Sequence, residues 1–324
     1  KMALIKLNTR SIPDNAVTPA KVSVKHLGRR NLLINGAMQI WQRGTSFTGS
    51  NTYTADRWLT DTAGAHTRST DTPAPFDYSI KLNPSSGNAV LRQAIELSAA
   101  GEGGIFQSGQ QFTLSFWLKS SAGGEGINVF IASSTTVAGA TTQMASAIGI
   151  ATTTTGWVKY TYTFTQSVAV GSNDTCYNIV PYVVAPSGDI YITGIQFETG
   201  SVATDFERRM IGEELAACQR YYQGFFNPQL VGSRNTSTRL RIAASTTVDM
   251  RTTPSISRPS GTTVAFQGDG TSLTSTNTSP AQGTTASPRN IIMDLAGFTG
   301  AADRSYVGAA NYVTTIVFVA DAEF

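Results

Sequence analysis

Histidine, cysteine and charged side chains are scarce in this sequence of 324 residues. Neither of the two histidines, His26 and His66, has cysteine or carboxylate neighbours at the spacing of a metal site. Two cysteines, Cys176 and Cys218, are too few for a disulfide framework in a chain of this length. We therefore expect two buried free thiols, with a single bridge as the alternative, and no metal site or cofactor.

Long apolar runs and dense basic clusters are also missing. No run approaches the roughly 20 apolar residues of a membrane-spanning helix, and residues 2–7 lack the basic and apolar regions of a signal peptide. The net charge is +3, and adjacent arginines occur only at 29–30 and 208–209. A nucleic-acid interface concentrates basic residues on one face. We expect neither membrane insertion nor nucleic-acid binding.

The low charge has a consequence for where the protein acts. Charged residues make up 14% of the chain, against about 25% in typical globular proteins. Threonine, serine, glycine and alanine take their place, a composition typical of β-rich extracellular or virion proteins. Because no export signal is visible, release by cell lysis as part of a virus particle fits this composition. A virion protein therefore fits this pattern.

Motifs of known enzyme classes are absent as well. The sequence has no G-x-S-x-G nucleophile elbow and no glycine loop between a strand and a helix for phosphate binding. A glycosidase needs two carboxylates at a defined separation, which scattered positions do not provide. The scattered carboxylates are Asp56, Asp61, Asp71, Glu96, Glu125 and Asp189. We expect no catalytic residues and a non-enzymatic protein, with a polysaccharide depolymerase as the alternative.

Short strand patterns fill residues 31–207. In residues 112–119, phenylalanine and leucine alternate with a second set that faces the other side of the strand. That second set is Thr113, Ser115, Trp117 and Lys119. Turn residues separate this run from further strand candidates at 127–131, 156–164, 177–184 and 189–198. Pro181 predicts an edge or bulged strand. Many short strands separated by turns predict a sandwich or a barrel.

A helical pattern follows at residues 208–224. Its apolar residues recur at the spacing of one helix face, and they are Ile211, Leu215, Cys218 and Tyr222. Residues 225–324 return to strand patterns, strongest at 238–250 and 313–319. The run at 268–287 is almost entirely small and polar, and we expect an exposed loop there.

The pattern of residues 1–30 predicts an extended arm rather than a folded domain. Its apolar residues are too sparse for a core of their own, and they are Ile12, Val17, Val22 and Val24. We expect residues 1–30 to become ordered only against another surface, with a flexible tail as the alternative. The sequence thus predicts a mainly β protein in four parts. These are a docking or oligomerisation arm at 1–30, a β-sandwich at 31–207, a linking helix at 208–224 and a C-terminal antiparallel β domain at 225–324.

Three short motifs suggest a family. They are NLLING at 31–36, WQRG at 41–44 and YTADRW at 53–58, and a longer one, IQFETGSVATDFERR, occupies 195–209. Together with the strands at 112–119 and around Trp157, they resemble the carbohydrate-binding-module-like jelly roll of phage tail fibres and related virion proteins. We interpret residues 31–58 as its first strand, a turn at Asn35 and Gly36, and a core anchor. The arm looks like attachment segments of phage, and in particular cyanophage-like, fibres.

The resemblance implies a homotrimeric tail fibre that binds host cell-surface polysaccharide and contacts other virion proteins through residues 1–30. The alternative is a capsid decoration or structural appendage protein that binds no glycan. Related jelly rolls often hold a structural calcium ion with acidic residues of the last strand. This chain departs from them, because residues 191–195 carry no carboxylate, and we expect no calcium there. Sugars stack on aromatic rings, and Trp117 and Lys119 are the candidate glycan-binding residues. We expect the other tryptophans, Trp41, Trp58 and Trp157, to be structural anchors.

Overall fold

The structure is a computed structural model. It describes residues 29–97, 105–136, 142–226, 231–236, 239–257, 264–268, 271–275, 280–296, 305–308 and 316–323. Apart from Arg29 and Arg30, the predicted arm lies outside the described residues.

The first part of the chain folds into a two-sheet sandwich. Its strands are β1 (Ser46–Thr48), β2 (Thr52–Tyr53), β3 (Leu59–Thr60), β4 (Gly64–Ser69), β5 (Ser79–Pro84), β6 (Ala89–Glu96), β7 (Gln111–Ser120), β8 (Gly126–Ser134), β9 (Thr142–Thr152), β10 (Val158–Thr165), β11 (Cys176–Val183) and β12 (Ile190–Thr199). The first sheet has the order β1-β4-β5-β12-β7-β10 and the second has the order β2-β3-β6-β11-β8-β9. Neighbouring strands are antiparallel throughout. The predicted mainly β, jelly-roll-like sandwich is confirmed.

Alternating apolar side chains build the core between the two sheets. On β7, Phe112, Phe116 and the leucine between them are fully buried, as the alternation predicts. The ring of Phe112 stacks on Phe197 of β12 with 5.2 Å between centroids and on Phe106 with 5.5 Å. Phe106 in turn stacks on Tyr177 of β11 at 4.2 Å. Stacked aromatic pairs contribute about 0.5–1.5 kcal/mol each beyond the area they bury, so this column ties the two sheets together.

The opening stretch anchors this core, but it is not a strand. Residues 31–45 adopt turns and irregular backbone, so the predicted first strand is wrong. The amide of Leu32 donates to the carbonyl of Phe197 at 2.9 Å, and no ladder continues from this bond. Leu33 and Met38 are nevertheless fully buried. The predicted turn is present, and Asn35 occupies the left-handed region with φ 56°.

Pro181 lies in a central strand rather than on an edge. β11 pairs with β6 on one side and β8 on the other. The ladder with β6 runs from Cys176 to Ile179 and resumes at Tyr182. Proline has no N–H to donate to a neighbouring strand. Because the β11–β6 ladder has a gap at Pro181, this central strand can contain a proline.

The helix is shorter than predicted and buries a different face. It is α1 (Ile211–Gln219). Ile211 is 58% exposed, whereas Cys218 is buried as predicted. Glu214 is buried as well, because its carboxylate accepts hydrogen bonds from the amide of Asn35 and, at 3.3 Å, from Arg209. The helix therefore attaches to the opening stretch through a buried carboxylate.

The rest of the chain forms two further antiparallel sheets, which we call the C-terminal unit. Its strands are β13 (Tyr222–Phe226), β14 (Val231–Thr236), β15 (Arg239–Ser245), β16 (Ser255–Ser257), β17 (Val264–Gly268), β18 (Thr271–Ser275), β19 (Pro280–Ala286), β20 (Asn290–Ala296), β21 (Ser305–Gly308) and β22 (Ile316–Asp321). One sheet is β13-β22-β16 and the other is β18-β17-β21-β14-β15-β20-β19. The exposed loop predicted at 268–287 is wrong, because β18 and β19 lie in that run. Strand pairing is made by the backbone and does not require apolar side chains.

Two arginines of the opening stretch, the buried Arg57 and the half-buried Arg43, join residue 323 to the sandwich. Glu323, which follows β22, forms ion pairs with Arg57 and, at 3.3 Å, with Arg43. The guanidinium of Arg57 lies 3.5 Å from the ring centroid of Tyr221, and that of Arg43 lies 3.7 Å from that of Tyr222. We call these five residues the arginine latch.

The latch lies on the outer side of the second sheet. Arg57 donates a hydrogen bond to the carbonyl of Ala94 on β6. Around it, Leu59, Ala94 and Cys176 form a small apolar cluster separate from the main core. Both cysteines are free and buried, as predicted. The C-terminal unit therefore covers part of this outer face.

Candidate functional site

The outer face of the first sheet carries the predicted glycan-binding residues. Strand register places Thr67 of β4, Lys81 of β5, Tyr191 of β12 and Lys119 of β7 in one row across the sheet. Directly opposed side chains of neighbouring strands lie about 4.5–5.5 Å apart at Cβ. Trp117, two residues from Lys119 on the same face, lies in the next row. Residues from four strands thus meet on one surface.

We call one part of this surface the aromatic–lysine patch. It consists of Lys81, Lys119, Trp117, Trp157, Tyr191, Asp71 and Asp189. The ring of Tyr191 lies between the two lysines, with its centroid 5.0 Å from the Nζ of Lys119 and 5.8 Å from that of Lys81. The indole of Trp157 meets the ring of Tyr191 edge to face, with centroids 6.4 Å apart and an interplanar angle of 71°. Both rings are half-buried, so each keeps a surface that a ligand can reach.

Both lysines of the patch are paired with carboxylates. The Nζ of Lys81 lies 2.7 Å from a carboxylate oxygen of Asp189, and that of Lys119 pairs with Asp71. Asp71 also accepts a hydrogen bond from the indole N–H of Trp157 at 3.0 Å. The two ion pairs make the patch electrically neutral while leaving charged donors and acceptors at its surface.

These contacts shift the pKa of two of the groups. The hydrogen bond from Lys119 lowers the pKa of the Asp71 carboxyl, and the bond from Trp157 adds to this effect. The hydrogen bond to Asp189 raises the pKa of Lys81. Both shifts favour the charged forms, so Asp71 and Lys81 stay ionised at neutral pH.

Trp117 is less accessible to a ligand than the alternation of residues 112–119 predicts. Gly194 lies beside it at an irregularity in the β12–β7 register, with φ +61°. A Cβ on Gly194 would lie 2.9 Å from Cδ1 of Trp117 and 2.5 Å from Cζ of Phe76. The indole edge therefore lies against the glycine backbone, next to a phenylalanine that is 6% exposed. Trp117 therefore lies at the edge of the patch, while Trp157 and Tyr191 form its centre.

The other tryptophans differ in role. Trp58 is fully buried and donates its indole N–H to the carbonyl of Asn35 at 2.9 Å. Trp41 is half-buried and stacks on Phe47 with 6.3 Å between centroids. Trp157 was expected among the anchors, but it lies on the outer face in the patch. The strand predicted at 156–164 contained the signal, because period-two spacing places Trp157 on the same face as Lys159 and Thr161, but it was not applied to Trp157.

Tyr191 was also missed, although a signal for it exists. Ile190 and Ile192 are buried, so alternation alone places Tyr191 on the outer face. What the sequence does not contain is the pairing that brings β12 beside β7. Among the described residues, no three histidine, cysteine or acidic side chains come together as a metal-binding group. No helix in the described part of the chain is long and apolar enough to cross a membrane.

Comparisons with known proteins give structural neighbours only. No protein-family model matches the sequence, and no curated protein matches it significantly. A cyclase from Fischerella sp. TAU is similar to 52% of this chain over 96% of its own length, with 10% identity and a TM-score of 0.38. A family 16 carbohydrate-binding module is similar to 41% of this chain over 84% of its own, with 19% identity and a TM-score of 0.29.

A third neighbour is of viral origin. The enzymatically active domain of tailspike protein 4 from bacteriophage CBA120 is similar to 52% of this chain over 21% of its own length. The identity is 17% and the TM-score is 0.35. At these values the neighbours assign the chain neither a family nor an activity.

Proposed function

We propose that this chain is a non-catalytic virion protein that binds host-surface glycans on the aromatic–lysine patch. The observation that carries the proposal is the position of Trp157 and Tyr191 on an outer sheet face among paired lysines and aspartates. The C–H faces of a pyranose ring stack on aromatic rings. Carboxylates and ammonium groups form the stronger, charge-assisted hydrogen bonds with the hydroxyl groups around such a ring.

The patch is also held in place before a ligand arrives. Tyr191 is flanked by Lys81 and Lys119, and the indole of Trp157 is fixed by its bond to Asp71. Fixing side chains in advance reduces the entropy lost on binding. Because its two lysines are matched by two aspartates, the patch suits a neutral, hydroxyl-rich ligand.

Location and assembly belong to the same proposal. The low charge of the chain and its resemblance to phage fibres support a place at the tail or capsid surface. The apolar residues of the arm support a homotrimer that contacts other virion proteins through residues 1–30. Mass photometry of the purified chain tests the assembly, and a monomer at micromolar concentration contradicts it.

Glycan binding is tested with the full chain on a glycan array, followed by calorimetric titration of the best ligand. Each aromatic contact contributes about 0.5–1.5 kcal/mol, and 1.4 kcal/mol corresponds to tenfold in affinity. Trp157→Ala and Tyr191→Ala should therefore each weaken binding roughly threefold to tenfold. Trp117→Ala and Lys119→Ala should weaken it less, because these residues border or flank the stacked rings. Thr161→Ala, exposed on the same sheet face outside the patch, is the control.

The alternatives give different results. A structural appendage protein binds no glycan although its fold is intact. A depolymerase releases reducing ends from host polysaccharide, which a reducing-end assay detects. Binding that is unchanged by both aromatic variants places the site elsewhere on the sandwich.

A further inference from the structure

A cleft on the opposite side of the sandwich has no role in the proposed glycan site. Its volume is about 860 Å³, and it lies between the segment at residues 29–34, β6 and α1, with Val248 and Asp249 of the C-terminal unit at one end. Its apolar lining includes Leu32, Ile34, Ile95, Phe106, Ala216 and Ala217. Pockets of 300–1,000 Å³ are large enough to enclose most of a bound molecule. An apolar lining of this size favours an occupant that covers it.

The charged side chains that line the cleft do not favour a charged ligand. Arg220 forms a bidentate pair with Glu96, with distances of 3.0 Å to both carboxylate oxygens. Asp249 is paired with Arg289 at 3.0 Å. Arg57 and Arg209 also line the cleft and are paired with Glu323 and Glu214, while the exposed Arg29 and Glu213 carry opposite charges. With the charges balanced, the apolar lining decides what fits. The chemistry suits a short extended peptide with apolar side chains better than an ionic small molecule.

The chain supplies such a peptide directly at the cleft. Arg29, the first described residue, lines the cleft, and the wall continues through Leu32 and Ile34. The seven residues before it read VSVKHLG, with apolar side chains at Val22, Val24 and Leu27. Seven extended residues span about 23–25 Å. Covalent attachment also gives them a millimolar effective concentration at the cleft.

We propose that residues 22–28 bind back into this cleft of the same chain, with their apolar side chains against α1 and β6. This narrows the segment proposed to contact other virion proteins from residues 1–30 to residues 1–21. A second copy of the arm and a separate partner protein are the other occupants that the experiment distinguishes.

Thiol accessibility tests the proposal in the full chain. The native Cys176 and Cys218 are at most 1% exposed, so a cysteine introduced at Ala217 is the reactive one. With Ala217→Cys, maleimide labelling should be slow. It should become at least tenfold faster when Val22→Asp and Val24→Asp are added, because charged side chains are not accommodated in an apolar cleft.

A matched control lies on the same helix. Ile211 is 58% exposed and does not line the cleft, so Ile211→Cys should label rapidly with or without the arm substitutions. Ala216→Cys repeats the measurement if Ala217→Cys does not fold. If the cleft cysteine labels equally fast in both arm backgrounds, the proposal is overturned.

Crosslinking identifies which arm fills the cleft. Val24→Cys combined with Ala217→Cys, treated with a short bismaleimide, should give a product with the mass of one chain. Val24→Cys with Ile211→Cys should give little of it. Products with the mass of two or three chains would assign the cleft to the arm of another copy. No crosslink in any product would exclude the arm altogether, and either result overturns binding within one chain.

Discussion

Replacing Glu323 with alanine removes the carboxylate that neutralises the arginine latch. The side chains of Arg57 and Glu323 are 1% and 5% exposed, and that of Arg43 is 10% exposed. Burial acts to lower the pKa of Arg57, but the charges of Glu323 and, to a lesser extent, of the neighbouring Tyr221 and Tyr53 together outweigh it, and the pKa lies above its ordinary value. Without Glu323 this rise is lost, but an arginine guanidinium stays protonated at neutral pH in proteins. The substitution therefore leaves a charge in a site with little access to water.

These contacts determine how much the free energy of unfolding should fall. Removing one partner of a buried ion pair costs about 3–5 kcal/mol. Arg57 keeps its bond to the carbonyl of Ala94 and its contact with Tyr221, and Arg43 keeps Asp321 and Asp56. We therefore expect the lower end, about 3 kcal/mol. Glu323→Gln keeps an acceptor but not the charge, and it should lose about 1–2 kcal/mol.

The assay is urea unfolding followed by two signals. All four tryptophans, at positions 41, 58, 117 and 157, lie in the sandwich, so their fluorescence reports on that part alone. Far-ultraviolet circular dichroism reports on both parts. If the latch joins the two, Glu323→Ala should move the circular dichroism transition to lower urea and separate it from the fluorescence transition.

An exposed ion pair provides the control for this experiment. Arg289 and Asp249 have side chains that are 71% and 60% exposed, and such pairs contribute about 0–1 kcal/mol. Arg289→Ala should therefore leave both transitions nearly unchanged. If Glu323→Ala has no larger effect than Arg289→Ala, the latch does not hold the C-terminal unit to the sandwich.

Three further predictions follow from single contacts. Gly36→Ala should lower the free energy of unfolding by at least about 2 kcal/mol in urea titration, because its new methyl group would overlap a neighbouring backbone carbonyl. Burial raises the pKa of Cys176 to about 11 and that of Cys218 well above its ordinary value, so mass spectrometry should find both thiols unalkylated until the chain is denatured. The pKa of Asp71 is lowered from 3.8. Its contribution to stability is therefore present above pH 3.8 and is lost as the pH falls through the folded-state pKa. Because the indole N–H of Trp157 donates to Asp71, its NMR resonance should move only in that acidic range.

Alternation predicted one strand of the patch and could not predict its neighbours. Period-two spacing places Trp117 and Lys119 on one face of β7, since that depends only on local backbone geometry. Tyr191 joins them through the pairing of β12 with β7, and Asp71 joins through an ion pair across 48 residues of sequence. Pairings between distant segments are decided by the whole core, so one strand's pattern does not contain them.

In the opening stretch, an apolar run predicted a strand that the structure does not have. Its apolar residues were expected to form a strand because apolar runs and strands share composition. Hydrogen bonds of one side chain hold this stretch in place of a strand ladder. The Asn35 amide group donates to the carbonyls of Ile40 and Asp56 and accepts from the amides of Gln39 and Ile40. Glu214 then binds the amide of Asn35. Polar networks of this kind leave no periodic signal, and for the same reason the buried face of α1 was predicted wrongly.

The aromatic–lysine patch and the arginine latch lie on different outer faces of the sandwich. The aromatic–lysine patch lies on the first sheet, whereas the latch and the cleft lie beside β6 of the second. A substitution on one face should therefore leave the other unchanged. Glu323→Ala should lower stability without altering glycan affinity at temperatures where the chain stays folded, and Tyr191→Ala should lower affinity with both urea transitions still coincident. If instead the latch variant also weakens glycan binding, the patch depends on the attached C-terminal unit, and the separation of the two faces is wrong.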